Sequence, residues 1–288
     1  MYNKTGIDRL VSMYGSQKLS THTIKNARDL GGYYTKDGYR TRYGLLLRSA
    51  ELHNASDSDI EQLHLKYNIR LIVDLRSSKE TTLASDPSIP GACAKNIPLI
   101  NKQAISEKML CVPEYKKLVP ISRDPLSQIE AAKALISSGY FDSMYIDYIA
   151  SSYTQSQLAN IFRELLTCEG GGILWHCKEG KDRTGIVSAL LLSVLGVDYD
   201  TIIADFELSN LFYRVDLHTI ERLLQILNYS KEESDLITAF FSGVHSSLLE
   251  RAWQYMENGW GSVKRFVIEQ LGISEHDIEC LRMRYLCQ

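Results

Sequence analysis

The chain has 288 residues, 44% of them hydrophobic, and a formal net charge of −3. This length suits one large domain or two small ones, with enough apolar residues for a sizeable core. The weak net charge excludes a bulk attraction to nucleic acid or to acidic membranes. Six widely scattered cysteines include no C-x-x-C pair, which argues against a metal centre or a disulfide framework and favours reduced thiols.

No targeting or membrane signal is visible in the sequence. The segment from Met1 to Gly6 lacks the basic and apolar regions of a signal peptide. The longest apolar stretch, within residues 186–197, is too short and too interrupted to span a bilayer. We therefore expect a cytoplasmic protein without an integral membrane segment. Leaderless export and the oligomeric state stay open.

The N-terminal half alternates strand and helix patterns after a polar arm over residues 1–25. Asp37-Gly38 indicates a tight hairpin turn, and the strand that follows it ends in Arg48. A strand rich in β-branched residues later ends in Asp74. Arg76 and Glu80 follow it, and their structural interpretation is an ion pair between the two side chains.

The whole pattern predicts an α/β fold. Glycines end several segments, and further helices fill the chain after residue 200. We expect one domain over residues 1–288, with a short, mainly parallel sheet flanked by helices and a helical C-terminal half. The predicted strands cover 44–49, 69–76, 94–99 and 172–175, and the predicted helices include 56–67, 157–166, 186–192 and 217–227.

A ten-residue stretch, His176 to Gly185, joins the last predicted strand to the next helix. Ligands bind at such strand ends in parallel sheets, and a helix N-terminus offers free N–H groups to an anion. Cys177 lies there among the cations Lys178, Lys181 and Arg183, an environment that favours the nucleophilic thiolate. Because the Arg183 guanidinium also matches two phosphate oxygens, the stretch can hold one tetrahedral dianion.

The spacing His-Cys-x5-Arg-Thr-Gly resembles the phosphate loop of cysteine-dependent tyrosine phosphatases. The ending Gly180 to Gly185 is similar to that of a bacterial, mycobacterial-type branch that acts on phosphoproteins and phosphoinositides. Asn26 to Gly32 and Asp74 to Glu80 resemble further signatures of this branch. The resemblance implies a tyrosine-phosphatase-like fold with a helical lid inserted at about residues 100–153.

The resemblance also implies the site residues, and it implies no metal and no other cofactor. The Thr184 hydroxyl is expected to bond the sulfur of Cys177. The predicted catalytic residues are Cys177, Arg183 and Asp182, and the predicted substrate-binding residues are Lys178, Glu179, Gly180, Lys181, Thr184 and Arg48.

No motif marks the general acid, because the sequence lacks the Trp-Pro-Asp tripeptide of better-known tyrosine phosphatases. Asp182 is the preferred candidate, since it lies inside the loop and adjoins the bound phosphate. Asp74 and Asp142 are the alternatives. A purely structural role for Asp182, pairing with Lys181 or a neighbour to hold the loop, is also open.

The sequence therefore predicts a phosphomonoesterase that hydrolyses phosphotyrosine, and by extension phosphoserine or phosphothreonine, in proteins through a cysteinyl-phosphate intermediate. Lys178 and Lys181 favour a phosphoinositide substrate as the alternative, and Glu179 offsets their charge. A rhodanese-like sulfurtransferase and an inactive phosphate-binding module are further alternatives. The Arg-Thr-Gly ending argues against the first, and the presence of both Cys177 and Arg183 argues against the second. We expect a phosphoprotein or phosphoinositide partner and no nucleic acid.

Overall fold

A five-stranded sheet forms the centre of the structure, a computed structural model that describes residues 17–118, 124–213 and 217–288. Its strands lie in the spatial order β1-β3-β6-β4-β5, with β1 antiparallel to β3 and the other neighbours parallel. A separate antiparallel pair joins β2 to β7. The predicted short, mainly parallel sheet is confirmed. In chain order the strands are β1 (Arg28–Asp29), β2 (Arg40–Thr41), β3 (Leu46–Ser49), β4 (Ile69–Asp74), β5 (Cys93–Asn96), β6 (Gly172–His176) and β7 (Leu286–Cys287).

Helices pack around this sheet and make up most of the C-terminal half, as predicted. Helix α1 continues as a π-helix over Gln62–Lys66. The helices of the described residues are α1 (Asp57–Glu61), α2 (Ser78–Leu83), α3 (Lys102–Leu110), α4 (Pro113–Leu118), α5 (Pro125–Ser137), α6 (Tyr140–Ala150), α7 (Ser152–Thr167), α8 (Asp182–Leu195), α9 (Tyr199–Phe212), α10 (His218–Ile226), α11 (Lys231–Ser242), α12 (Ser246–Trp260), α13 (Val263–Glu269) and α14 (Glu275–Tyr285).

The central strand β6 is buried on both faces, which explains its uninterrupted apolar run. Successive strand residues point to opposite faces of a sheet. Leu174 accordingly packs in one cluster with Leu47 and Ile72, while Ile173 and Trp175 pack in the larger cluster on the other face. The two clusters hold β6 between layers of side chains and place its C-terminal end beside the ends of β3 and β4.

Helix α8 is buried along almost its whole length, so it carries apolar residues on every side. It ends at Gly196, whose φ of 93° lies in the left-handed region that a helix C-terminus favours. Its first residue is Asp182, an acidic side chain at the positive end of the helix dipole. The N-terminus of α8 therefore meets the C-terminal end of β6 across the predicted loop.

Side chains cap the starts of several helices. Ser56 caps α1, because its hydroxyl accepts a hydrogen bond from the Asp59 N–H. Asp198 caps α9, since its carboxylate accepts a hydrogen bond from the Thr201 N–H at 2.9 Å. Residues 1–16 of the predicted N-terminal arm and residues 119–123 of the predicted lid lie outside the described residues. Within the described ranges, none of the helices combines the length and apolar character needed to cross a bilayer.

Candidate active site

The loop between β6 and α8 lies at the C-terminal edge of the sheet. His176 ends β6 and is aligned with Ser49 of β3 and Asp74 of β4. Gly180 has a φ of 67°, and a Cβ atom there would lie 2.4 Å from the Ser49 carbonyl oxygen. Only glycine meets both conditions, because a side chain would be strained and would collide with the neighbouring backbone. The sequence thus folds the loop back tightly against β3.

Cys177 is the first residue after β6 and is only 3% exposed. Its thiol therefore lies at the base of the site, with helix α8 beginning five residues later. Charged and titratable side chains of several elements lie near enough to interact with it electrostatically. The groups that interact electrostatically with Cys177 are Arg48, Arg183, Tyr145 and Tyr213.

Arg183 is held by Glu80 through two parallel hydrogen bonds. Its Nη1 lies 2.9 Å from Glu80 Oε2, and its Nη2 lies 3.0 Å from Glu80 Oε1. Burial alone would lower the pKa of Arg183, but Cys177 and Glu80 together raise it above its ordinary value. The ion pair with Arg183 in turn lowers the pKa of Glu80, although burial alone would raise it. The guanidinium therefore stays charged and has a preset orientation.

Glu80 is itself fixed at the start of α2. Ser77 and Glu80 form a reciprocal capping box, in which the Ser77 hydroxyl accepts from the Glu80 N–H and the Glu80 carboxylate accepts from the Ser77 N–H. The Lys102 ammonium lies 2.8 Å from the other carboxylate oxygen. The ion pair predicted between Arg76 and Glu80 is not formed, since Glu80 binds Arg183 instead.

Arg76 occupies a different buried network, next to the end of β6. It pairs with Asp74 at 2.8 Å and with Asp86 at 2.7 Å. Asp86 also lies 3.1 Å from His176 Nε2, although the angles do not make a hydrogen bond. Asp74, Asp86 and His176 bring three metal-ligand atoms within 4.8 Å of one another, but the Arg76 guanidinium already supplies the cation there. Asp74, one of the alternative candidates for the general acid, therefore forms an ion pair with Arg76.

Arg48 does not reach the open part of the site. It is fully buried, pairs with Asp205 at 2.7 Å and donates a hydrogen bond to the Gly180 carbonyl at 2.9 Å. Burial, followed by the nearby Arg28, lowers the pKa of Arg48 to about 10, which keeps it charged at neutral pH. The side chain of Arg48, which the sequence analysis assigned to substrate binding, thus contacts the back of the loop.

Asp182 faces a pocket of about 340 Å³ that Arg183 also lines. Its carboxylate accepts a short hydrogen bond from the Tyr145 hydroxyl. Burial and the neighbouring Asp182 raise the pKa of Tyr145 well above its ordinary value, so this hydroxyl keeps its proton and donates it. Lys181, the partner named in the structural alternative for Asp182, lies 2.8 Å from Glu179 instead. The other walls of the pocket come from α3, α6 and the segment before α3, namely Ile100, Lys102, Ile105, Ser106, Met109, Met144 and Tyr148.

The remaining predicted residues differ in their surroundings. Lys178 is exposed, whereas Lys181 is buried, lies 2.8 Å from Glu179 and stands 5.3 Å from the centre of the Tyr213 ring. The Thr184 hydroxyl is buried without a hydrogen bond, so the predicted bond to the Cys177 sulfur is not formed. Only one of the two loop lysines is therefore available to a ligand.

Three residues that contact the site machinery were not assigned to it from the sequence. Glu80 has a visible signal, since Ser77-x-x-Glu80 is a capping-box pattern, but that pattern does not reveal Arg183 as its partner. Tyr145 and Asp205 have no local signal, because their partners lie 37 and 157 residues away along the chain.

The sequence is similar to those of known proteins along most of its length. Residues 19–287 match the model of the tyrosine phosphatase family. A protein of Cupriavidus necator, provisionally named a tyrosine-protein phosphatase, is 29% identical over 287 residues, which cover 96% of this chain and 90% of that protein. The triple specificity protein phosphatase PtpB of Mycobacterium tuberculosis is 25% identical over 254 residues, covering 84% and 90%. A tyrosine-protein phosphatase of Nostoc commune is 27% identical over 167 residues, covering 57% and 47%.

The family predicted from the loop is thereby confirmed. The match extends far beyond the loop, since it includes the N-terminal signature, the helices of the predicted lid and the C-terminal half. The protein belongs to the tyrosine phosphatase family, and its activity is that of a phosphatase.

Proposed function

We propose that the protein hydrolyses phosphotyrosine in proteins through a covalent cysteinyl-phosphate. The proposal rests on one observation: a buried thiol and a pre-oriented guanidinium lie at the same strand-to-helix junction, and the guanidinium lines a pocket with apolar and aromatic walls. Cys177 supplies the thiol and Arg183 the guanidinium. A helix N-terminus adds N–H donors, which stabilise the charge of a phosphate.

The proposed reaction has two steps. In the first, the Cys177 thiolate forms a sulfur–phosphorus bond while the phosphorus–oxygen bond to the tyrosine breaks, and the leaving oxygen takes a proton from Asp182. In the second, water attacks phosphorus and gives a proton to Asp182, and the sulfur–phosphorus bond breaks to release inorganic phosphate. Arg183 and the loop N–H groups hold the phosphoryl oxygens in both steps.

Asp182 suits the acid role better than the other two candidates. It lines the same pocket as Arg183, and Tyr145 orients its carboxylate. Asp74 is paired with Arg76. Asp142 lies on α6 with an exposed side chain, 3.4 Å from Arg251. Among these three carboxylates, Asp182 has the position from which a proton can reach a leaving group in the pocket.

We expect Asp182→Asn to lower turnover of alkyl phosphates by about 10²-fold or more and that of p-nitrophenyl phosphate by much less. Nitrophenolate is a good leaving group that needs little protonation, whereas an alkoxide must be protonated as it departs. The measurement is kcat on both substrates, with Asp142→Asn as the matched control. Equal losses on the two substrates would contradict the acid role.

The walls of the pocket favour an aromatic phosphate ester. Met109, Met144 and Tyr148 offer apolar and aromatic contacts to the ring of a phosphotyrosine. Met109 belongs to α3, a largely exposed helix that Lys102 ties to Glu80 and Lys108 ties to Asp147. We infer that α3 to α6 act as the lid expected over residues 100–153.

A phosphoinositide substrate is the second candidate. Exposed Lys178 at the loop and exposed Lys25 nearby favour it, because both can meet additional phosphates. Lys181 weakens the case, since Glu179 neutralises its charge. PtpB is named a triple specificity protein phosphatase, and we include phosphoserine and phosphothreonine in the proposal for this chain.

A substrate panel tests the proposal directly. We expect release of phosphate from a phosphotyrosine peptide with kcat/KM at least about tenfold above that for the same peptide carrying phosphoserine, and above that for a dispersed phosphoinositide. The assay contains a metal chelator. Faster hydrolysis of the phosphoinositide would contradict the proposed protein substrate and favour the lipid. Activity that requires an added metal ion would contradict the proposed mechanism.

A further inference from the structure

Two arginines and one aspartate form a fully buried cluster behind the loop. Arg28 of β1 and Arg48 of β3 face each other across the antiparallel pair. Both are 0% exposed, and Asp205 of α9 is 1% exposed. Asp205 Oδ1 lies 2.8 Å from Arg28 Nε, and Asp205 Oδ2 lies 2.7 Å from Arg48 Nη1. One carboxylate therefore gathers two guanidinium groups from adjacent strands.

This cluster is connected to the loop by hydrogen bonds to the carbonyl oxygens of the loop backbone. Arg48 Nη2 donates to the Gly180 carbonyl at 2.9 Å. Arg28 Nη1 donates to the Asn26 side-chain oxygen at 2.6 Å, and the Asn26 amide in turn donates to the carbonyls of Glu179 at 3.0 Å and Gly180 at 2.9 Å. Consecutive loop carbonyls are thus bound from behind.

The hydrogen bonds to these carbonyls also fix the direction of the N–H groups in the same peptide units. The N–H and C=O of a planar peptide unit point in opposite directions. Carbonyls that are held toward the cluster leave the N–H groups of the loop directed toward the ligand. The net charge of the cluster also favours binding of an anion. Two buried cations share one anion, which leaves one positive charge in excess beneath the loop.

We propose that Asp205 is a positioning residue for the phosphate loop, acting through Arg28, Arg48 and Asn26 to aim the loop N–H groups at the substrate phosphate. This proposal rests on the proposed function only in its choice of phosphate as the ligand. Asp205 itself does not touch the substrate. Burial opposes its ionisation, but Arg28 and Arg48 outweigh burial and keep the pKa of Asp205 below its usual range.

The test measures binding of inorganic phosphate by calorimetry in a Cys177→Ser background, so no turnover is needed. Asp205→Asn is expected to raise the Kd for phosphate about tenfold or more, because Arg28 and Arg48 both lose their ion pair and the carbonyl contacts loosen, a loss of geometry that outweighs the added positive charge behind the loop. Asn26→Gly is the second variant. Asn26 has a φ of 53°, which glycine adopts readily, so this change removes the carbonyl contacts without backbone strain. We expect about a tenfold weaker Kd for it as well.

Asp198→Ala is the matched control. It removes the N-cap of the same helix, α9, and lowers stability without touching the loop or the cluster. We expect this variant to bind phosphate as tightly as its parent even though it melts at a lower temperature. Phosphate binding that falls in step with melting temperature across all three variants would reduce Asp205 to a structural role and overturn the proposal.

Asn26→Gly decides the matter if Asp205→Asn does not fold. Parental phosphate affinity in Asn26→Gly would overturn the proposal, and a loss confined to Asn26→Gly and Asp205→Asn would support it. The proposed function is tested separately, because an inactive wild type that still binds phosphate would contradict hydrolysis and leave this binding comparison intact.

Discussion

Replacing Cys177 with serine is expected to lower hydrolysis of p-nitrophenyl phosphate by about 10⁴-fold or more. The serine hydroxyl is nearly the size of the thiol, so the buried position can accept it. It is, however, almost entirely un-ionised near neutral pH, and it lacks the nucleophilicity of a thiolate. The measurement is kcat for wild type and variant from mildly acidic to neutral pH, in the presence of a chelator.

Two controls make this result specific. Cys168→Ser alters a second thiol, which is partly buried, follows α7 and lies outside the loop, and it should leave kcat within about twofold of wild type. Binding of inorganic phosphate should survive in Cys177→Ser, which shows that the loop is still formed. Turnover by Cys177→Ser above about 1% of the wild-type rate would contradict a cysteinyl-phosphate intermediate.

Arg183→Lys should lower kcat/KM for p-nitrophenyl phosphate by about 10²- to 10³-fold, although the positive charge is kept. The guanidinium pairs with both oxygens of Glu80 while it stays directed at the site. A lysine ammonium is a point charge on a flexible stem and cannot form both parallel bonds. The new cation is therefore expected to lose its preset orientation and its two-point contact with the phosphoryl group.

An exposed arginine gives the matched control for this change. Arg163 of α7 is exposed, and its guanidinium donates a hydrogen bond to the nearby Asn160, so Arg163→Lys should change kcat/KM by less than about twofold. Inhibition by inorganic phosphate should weaken in Arg183→Lys and not in Arg163→Lys. If Arg183→Lys keeps wild-type activity, charge alone is sufficient, and the proposed two-point clamp is wrong.

The strongest sequence predictions were those that depend on residues close together in the chain. The loop from His176 to Gly185 lies between a buried strand and a buried helix, as its flanking apolar runs predict. The cap at Ser56 and the left-handed glycine at 196 also follow from local chemistry. Such features need only a few neighbouring residues, so the sequence contains all the information that they require.

The sequence was least informative about side chains whose partners are remote along the chain. Arg48 and Arg76 both end or follow strands at the site edge, yet each is bonded to carboxylates inside the protein. Glu80 was placed with Arg76, four residues away, but binds Arg183 across 103 residues. A charged residue at a strand end has several partners within reach, and only the packing of the elements selects among them.

The sequence by itself determined the phosphatase family and placed a cysteine, an aspartate and an arginine at the junction of a parallel strand and a helix. The loop at that junction is local, and its backbone is set by Gly180 and by the helix that follows. The tertiary structure alone decided which charges support the loop and which meet the ligand. Glu80, Tyr145 and Asp205 come from three separate helices. Burial makes an unpaired charge costly, so the folded chain must bring each buried cation to a carboxylate, wherever in the sequence that carboxylate lies.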